Sequence, residues 1–366
     1  MNYRKTWLAA AIIIAAAGIV SCKDDDDDTI SLPYLDGTPS FELPRYVTAG
    51  TEMTLTAEEV TNPTGAEITY KWDVTRGSDE MLDDEETETD GGRTLSLKFS
   101  ASDGKDTLCN FTVTCATEAT GYYGTSYTAV TTAVNGNSLK HADFEFGEGI
   151  HGGKVTDLRT GDEYNTVVIN GREWTAENMH YGLEEPKTGV ALEEADAVSG
   201  IFGRYYKWED AVSVCEGLGE GWALPSHSDW DALCTALGAG SQEGGNITED
   251  GLTAKWEGVT GSLMSDATFN LDKMWEYWTA VGDLTNESGL SVIPAGYATV
   301  MDNGSSDIYT FDGFGEYAGF WTSTEHSTGS SAYYVYFWDK YPDMRLGYVD
   351  KKSFALPVRC VRSVQP

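Results

Sequence analysis

The chain has 366 residues, room for two or three domains. Its 59 acidic against 24 basic side chains leave a net charge of −35, which excludes nucleic acid and anionic membrane surfaces as partners held by charge. Forty glycines, 20 tyrosines and 11 tryptophans point to short strands and turns rather than long helices.

Residues 1–22 carry Arg4 and Lys5, an apolar run from Trp7 to Val20, and then Ser21 and Cys22. The run is too short to span a bilayer comfortably. A cysteine directly after a small residue makes this segment resemble a bacterial lipoprotein signal peptide, which implies cleavage before Cys22 and acylation of its thiol. Lys23 and Asp24 to Asp28 resemble the acidic export signal behind the lipid cysteine of surface lipoproteins in Bacteroidetes-type bacteria; as bare chemistry they are an acidic flexible tether. These resemblances imply a signal peptide over 1–21 and a lipid anchor in the outer membrane facing the cell exterior. Pro33, Pro39 and Pro44 then predict an extended leader that completes a tether over 22–50.

Residues 51–134 alternate polar and apolar in four runs: Met53 to Ala57, Ile68 to Val74, Thr94 to Phe99 and Leu108 to Cys115. Tyr122 to Val134 supplies a last strand. Period-two alternation in several short runs predicts an all-β sandwich, and Trp72 with the Phe111–Val113 strand makes it resemble an immunoglobulin or PKD-type module. The acidic loop Asp79 to Asp90 reads as a solvated hairpin tip, since it lacks the spaced ligands and turn glycine of a calcium loop. Cys109 and Cys115 stand about 20 Å apart in one strand, too far to bridge, and are expected as core-facing thiols. Residues 135–153 form the linker; its His141 and His151 have no carboxylate or cysteine at ligand spacing and are read as loop residues.

In 154–366, Val167 to Trp174 reads as a hairpin about Asn170-Gly171. Trp208, Ala211, Val212 and Cys215 form one apolar helical stripe that Gly217 and Gly219 terminate. A second helix starts at Ser226 with Asp229 as its capping-box partner, and Trp230, Leu233, Cys234 and Leu237 repeat the spacing. Strands follow at Tyr333 to Trp338 and Phe354 to Val361.

From about Val155 to Ser363 the chain resembles the Fibrobacter succinogenes major paralogous domain. The residues that carry the resemblance are Asp157-Leu158-Arg159-Thr160-Gly161 with Tyr164, Gly171 to Asn178, Gly203-Arg204-Tyr205-Tyr206 with Trp208, Gly221-Trp222-Ala223-Leu224-Pro225, Pro294 to Tyr297, Phe320 to Glu325, and Val358-Arg359-Cys360-Val361. That family is similar to C-type-lectin-like domains, which implies an α+β fold with two helices, irregular loops, and a disulfide from the first helix to the last strand, here Cys215 to Cys360. The expected architecture is therefore multidomain, an immunoglobulin-like sandwich followed by an α+β C-type-lectin-like domain.

Glu185-Pro186-Lys187 and Trp338-Asp339-Lys340 lack the amide and carboxylate set that calcium-dependent sugar capture needs. No nucleophile elbow, phosphate loop or zinc spacing is present, so no catalytic residue, cofactor or metal is assigned. Trp321, Glu325, His326, Trp338 and Asp339 combine aromatics with carboxylates and are the ligand-binding candidates. The expectation is a non-catalytic surface lipoprotein that recognises a glycan or a surface protein. The alternatives are an envelope-anchored enzyme acting on polysaccharide or protein, or a pilus-like accessory subunit.

Overall fold

The computed structural model describes residues 31–77, 80–81, 87–89, 91–100, 108–134, 152–184, 187–243, 252–270, 272–276, 280–304 and 306–364. The signal segment, Cys22, the acidic run to Asp28, His141, His151, Glu185, Pro186 and most of the 79–90 loop lie outside the described residues. Two compact units divide after Gly136.

Among the described residues the first unit is all β: β1 (Tyr46–Thr48), β2 (Glu52–Thr56), β3 (Thr69–Arg76), β4 (Glu80–Met81), β5 (Thr87–Thr89), β6 (Thr94–Lys98), β7 (Leu108–Glu118) and β8 (Ser126–Val134). They form one sheet in the order β1-β8-β7-β3-β4 and another in the order β2-β6-β5. Alternation decides which side chains point inward. Along β7, Cys109, Phe111, Val113 and Cys115 are all buried, and Leu55, Leu95 and Leu97 of the other sheet belong to the same core. Both thiols are free, and burial pushes that of Cys115 up to about 12.

The leader differs from a plain tether. It is extended, but Leu35, Phe41 and Val47 are buried in this core and β1 runs parallel to β8 at the sheet edge. Prolines exclude a helix without preventing the apolar residues between them from packing; the edge of β8 offers backbone partners to Tyr46–Thr48, and Leu35 N–H donates to the Tyr123 carbonyl.

The second unit contains β9 (Gly153–Thr156), β10 (Glu163–Ile169), β11 (Arg172–Thr175), α1 (Trp208–Glu216), α2 (His227–Ala236), β12 (Gly240–Glu243), β13 (Leu252–Glu257), β14 (Tyr297–Asp302), β15 (Asp307–Asp312), β16 (Tyr317–Glu325), β17 (Ser331–Trp338), β18 (Asp343–Asp350), β19 (Phe354–Ala355) and β20 (Val361–Ser363), besides shorter pieces. Among the described residues its three larger sheets have the orders β20-β11-β10-β9, β12-β13-β18-β17-β16 and β15-β14-β19.

Local chemistry places the expected signals. Asn170 and Gly171 both take positive φ, 50° and 71°, as the two-residue turn between β10 and β11 requires. Ser226 caps α2 by accepting from the Asp229 backbone N–H, while the Asp229 carboxylate accepts from the Ser226 N–H. The buried stripe of α1 is Ala211, Val214 and Cys215; Trp208 and Val212 flank it half-buried. Cys215 is disulfide-bonded to Cys360, which fastens α1 to the segment before β20. Trp222 and Leu224 are buried, and Ala223 bridges Val361. The stretch from Trp208 to Leu237 is therefore framework.

The five-stranded sheet is covered on both faces. Trp256, Phe320, Val335, Phe337, Met344 and Leu346 enter a core with Trp174 and Trp230. Trp321 and Ala332, on the other face, enter a second core around the disulfide. Where that second core ends, toward the β17 C-terminus, the face stays open.

Candidate functional site

Period-two alternation puts Val335 and Phe337 of β17 into the first core and turns Tyr334, Tyr336 and Trp338 to the other face. The neighbouring strands oppose these rings with Tyr317 to Trp338, Gly319 to Tyr336 and Gly347 to Tyr334. The two glycines make room. A Cβ on Gly347 would come within 3.0 Å of the Tyr334 ring, and one on Gly319 within 3.1 Å of the Tyr317 ring.

The result is a cleft of about 360 Å³ whose wall contains Tyr297, Tyr317, Tyr334, Tyr336, Trp338 and Phe354, together with Asp312, Gly313 and Glu316. Tyr317 stacks on Tyr336 and Tyr336 on Tyr334, each with centroids 5.4 Å apart. Tyr297 meets Tyr317 edge-on at 5.4 Å. Six aromatic side chains from β14, β16, β17 and β19 thus converge on one concavity.

Its polar groups are few and held. The Tyr297 hydroxyl donates to Asp312 Oδ2 at 3.2 Å, and the Gly313 N–H donates to Asp312 Oδ1 at 2.7 Å. Glu316 Oε2 accepts from Lys340 Nζ at 2.7 Å, and that ammonium lies 4.5 Å from the Trp338 ring centroid. Burial raises the phenol pKa values of Tyr297, Tyr317 and Tyr334 above the ordinary value, so these rings stay neutral donors at any physiological pH.

The five candidates from the sequence separate. Trp338 lines the cleft. Asp339 lies behind its wall, 1% exposed, with its backbone N–H donating to the Glu316 carbonyl at 3.0 Å. Trp321 is buried, its indole N–H donating to the Tyr206 carbonyl at 2.8 Å. Glu325 and His326 stand at the far end of the β16–β17 ladder, roughly 20 Å along the strands from Trp338. Glu325 pairs there with Lys351 at 2.5 Å, and His326 stacks on Tyr348 at 4.0 Å. The sequence reading missed Tyr297, Asp312, Glu316, Tyr317 and Phe354. The available signal was alternation: aromatics at 334, 336 and 338 on one strand face need facing partners, and Tyr317 and Gly319 carry the same parity.

Asp339 carries a pH prediction. Burial first, then the Glu316 and Glu276 carboxylates, push its pKa from 3.8 up to about 6, against the pull of Lys340. A raised carboxyl pKa means that the folded state holds this proton more tightly. The stabilisation is complete below the unfolded value and is lost as pH rises through the folded one. Asp339→Asn is therefore expected to stabilise the protein by about 3 kcal/mol at neutral pH and by almost nothing near pH ~3. Urea unfolding of both proteins between those pH values checks it; parallel stability profiles contradict it.

The geometry defines a β-rich, disulfide-fastened domain with an aromatic and acidic cleft beside its largest sheet. The chain belongs to the Fibrobacter succinogenes major domain family, whose model matches residues 167–362, over half of its length. The matched segment starts inside β10, so Asp157 to Gly161 lie before it. Neither the curated proteins nor the solved structures contain a significant match to the chain.

Proposed function

We propose that the protein is a non-catalytic cell-surface lipoprotein, anchored through an acylated Cys22 in the outer membrane, that recognises a glycan in the cleft of its second unit. In this reading the first unit is an immunoglobulin- or PKD-like spacer and the second a C-type-lectin-like head. The observation that carries the proposal is the convergence of six aromatic rings with Asp312 and Glu316 around a space of about 360 Å³. Aromatic faces bury the C–H faces of a pyranose, and carboxylates accept from its hydroxyls. A hydrolase reading would draw on the raised pKa of Asp339, which suits a general acid. Asp339 is buried and is not among the lining residues, which favours binding over hydrolysis.

A glycan array with the purified mature protein tests the proposal. Binding to a restricted glycan set is expected, weakened about tenfold or more by Trp338→Ala, and Cys22→Ser is expected to move the protein from the membrane to the soluble fraction. No glycan above background, or binding indifferent to Trp338→Ala, refutes the cleft reading; membrane retention of Cys22→Ser refutes the anchor.

A further inference from the structure

The charges around the cleft are unevenly balanced. Asp312 and Glu316 line it, and Asp339 lies just behind. The cation paired with Glu316 is Lys340, which is not among the lining residues and whose side chain is 44% exposed. Its ammonium touches Glu316 at 2.7 Å and sits 4.5 Å from the Trp338 ring. A carboxylate beside an aromatic face is the arrangement that binds an ammonium group, and here the chain's own lysine fills it.

Two features make that occupancy exchangeable. An exposed ion pair on a long, flexible stem is weakly held against solvent, so a ligand cation that also buries ring surface can replace it. Asp312 is approached on each carboxylate oxygen by a donor of the protein, Tyr297 or Gly313, and each such oxygen retains a lone pair for a further donor. A saccharide amine would then meet Glu316 and Trp338 while neighbouring hydroxyls reach Asp312. An acidic saccharide would meet like charge, and the net charge of −35 adds long-range attraction for cations only.

We infer that the cleft selects a saccharide bearing a protonated amine, and that Lys340 is the built-in partner of Glu316 and Trp338 which this ligand displaces. The inference rests on the reading of the cleft as a glycan site and adds the charge class of the glycan.

Calorimetric titration of the mature protein with glucosamine oligomers and with their N-acetylated counterparts, in mildly acidic buffer where the amines carry their protons, tests it. The amine form is expected to bind about tenfold tighter, with a preference that added salt reduces. Lys340→Met is expected to tighten binding of the amine form about threefold and to widen its lead over the acetylated form, while Glu316→Gln removes the preference. Equal or tighter binding of the acetylated oligomer, with Trp338→Ala still weakening it, overturns the charge inference and leaves the glycan site standing. Weaker amine binding by Lys340→Met overturns the displaced-partner role. If neither oligomer binds and the array is blank, both readings fall together.

Discussion

Replacing Cys215 and Cys360 by serine is expected to destabilise the second unit by about 5 kcal/mol and to lower its melting temperature by roughly 10–20 °C. The bond joins residues 145 apart in sequence, so in the reduced chain a loop of most of this unit is released into the unfolded ensemble. The folded side adds to the loss: both cysteines are fully buried beside Trp222, Trp321 and Val358, where serine hydroxyls would lack water. Scanning calorimetry with and without a reductant is the check. The first unit, whose Cys109 and Cys115 are free thiols, serves as internal control. A melting point of the second unit that moves by less than about 2 °C would show that packing alone holds α1 against the β20 segment.

Arg359 is expected to matter nearly as much, although no carboxylate among the described residues bonds it directly. Its guanidinium is fully buried and spends its donors on Asn178 Oδ1 at 2.7 Å and on the carbonyls of Thr175 at 3.1 Å, Leu290 at 2.8 Å and Ser291 at 3.0 Å. Burial pulls its pKa down to about 9, partly opposed by the Glu177 carboxylate. One planar fork therefore ties β11 and the Asn178 loop to the 290–291 segment and to the strand after the disulfide. Arg359→Ala strands these acceptors in a dry interior and is expected to cost about 3–5 kcal/mol in urea unfolding. Arg359→Lys should recover little, because an ammonium on a straight stem cannot reach four acceptors in one plane. Buried ions are sometimes replaced by apolar residues without loss, so Arg359→Met is the discriminating variant. If it matches the wild type, the carbonyls are satisfied without the guanidinium.

The legible part of the fold was local. Asn170-Gly171 demanded a tight hairpin, Ser226 with Asp229 a capping box, and the alternations at 94–99 and 108–115 a half-buried strand each; every one of these is decided within a few residues of chain. The disulfide was reached through the family resemblance rather than through spacing, because two positions 145 residues apart carry no local record of their meeting. The leader misled for the opposite reason. Its prolines report backbone conformation, whereas burial of Leu35, Phe41 and Val47 depends on a core assembled from strands remote in sequence, with Val47 also paired to the edge of β8.

The cleft shows the same limit at the level of the site. Trp321, Glu325, His326, Trp338 and Asp339 are neighbours in sequence, yet one is core, two stand at the far end of a ladder and one lies behind the wall. The rings that do meet come from four strands separated by up to 57 positions, from Tyr297 to Phe354. By itself the sequence determined the acidity, the strand-rich character, the caps and turns, and the framework role of residues 208–237, since these follow from side-chain chemistry and short-range periodicity. Only the tertiary structure decided which aromatic faces stay open, because exposure depends on where the second core stops beneath the sheet, and on glycines at 319 and 347 that leave the rings their space.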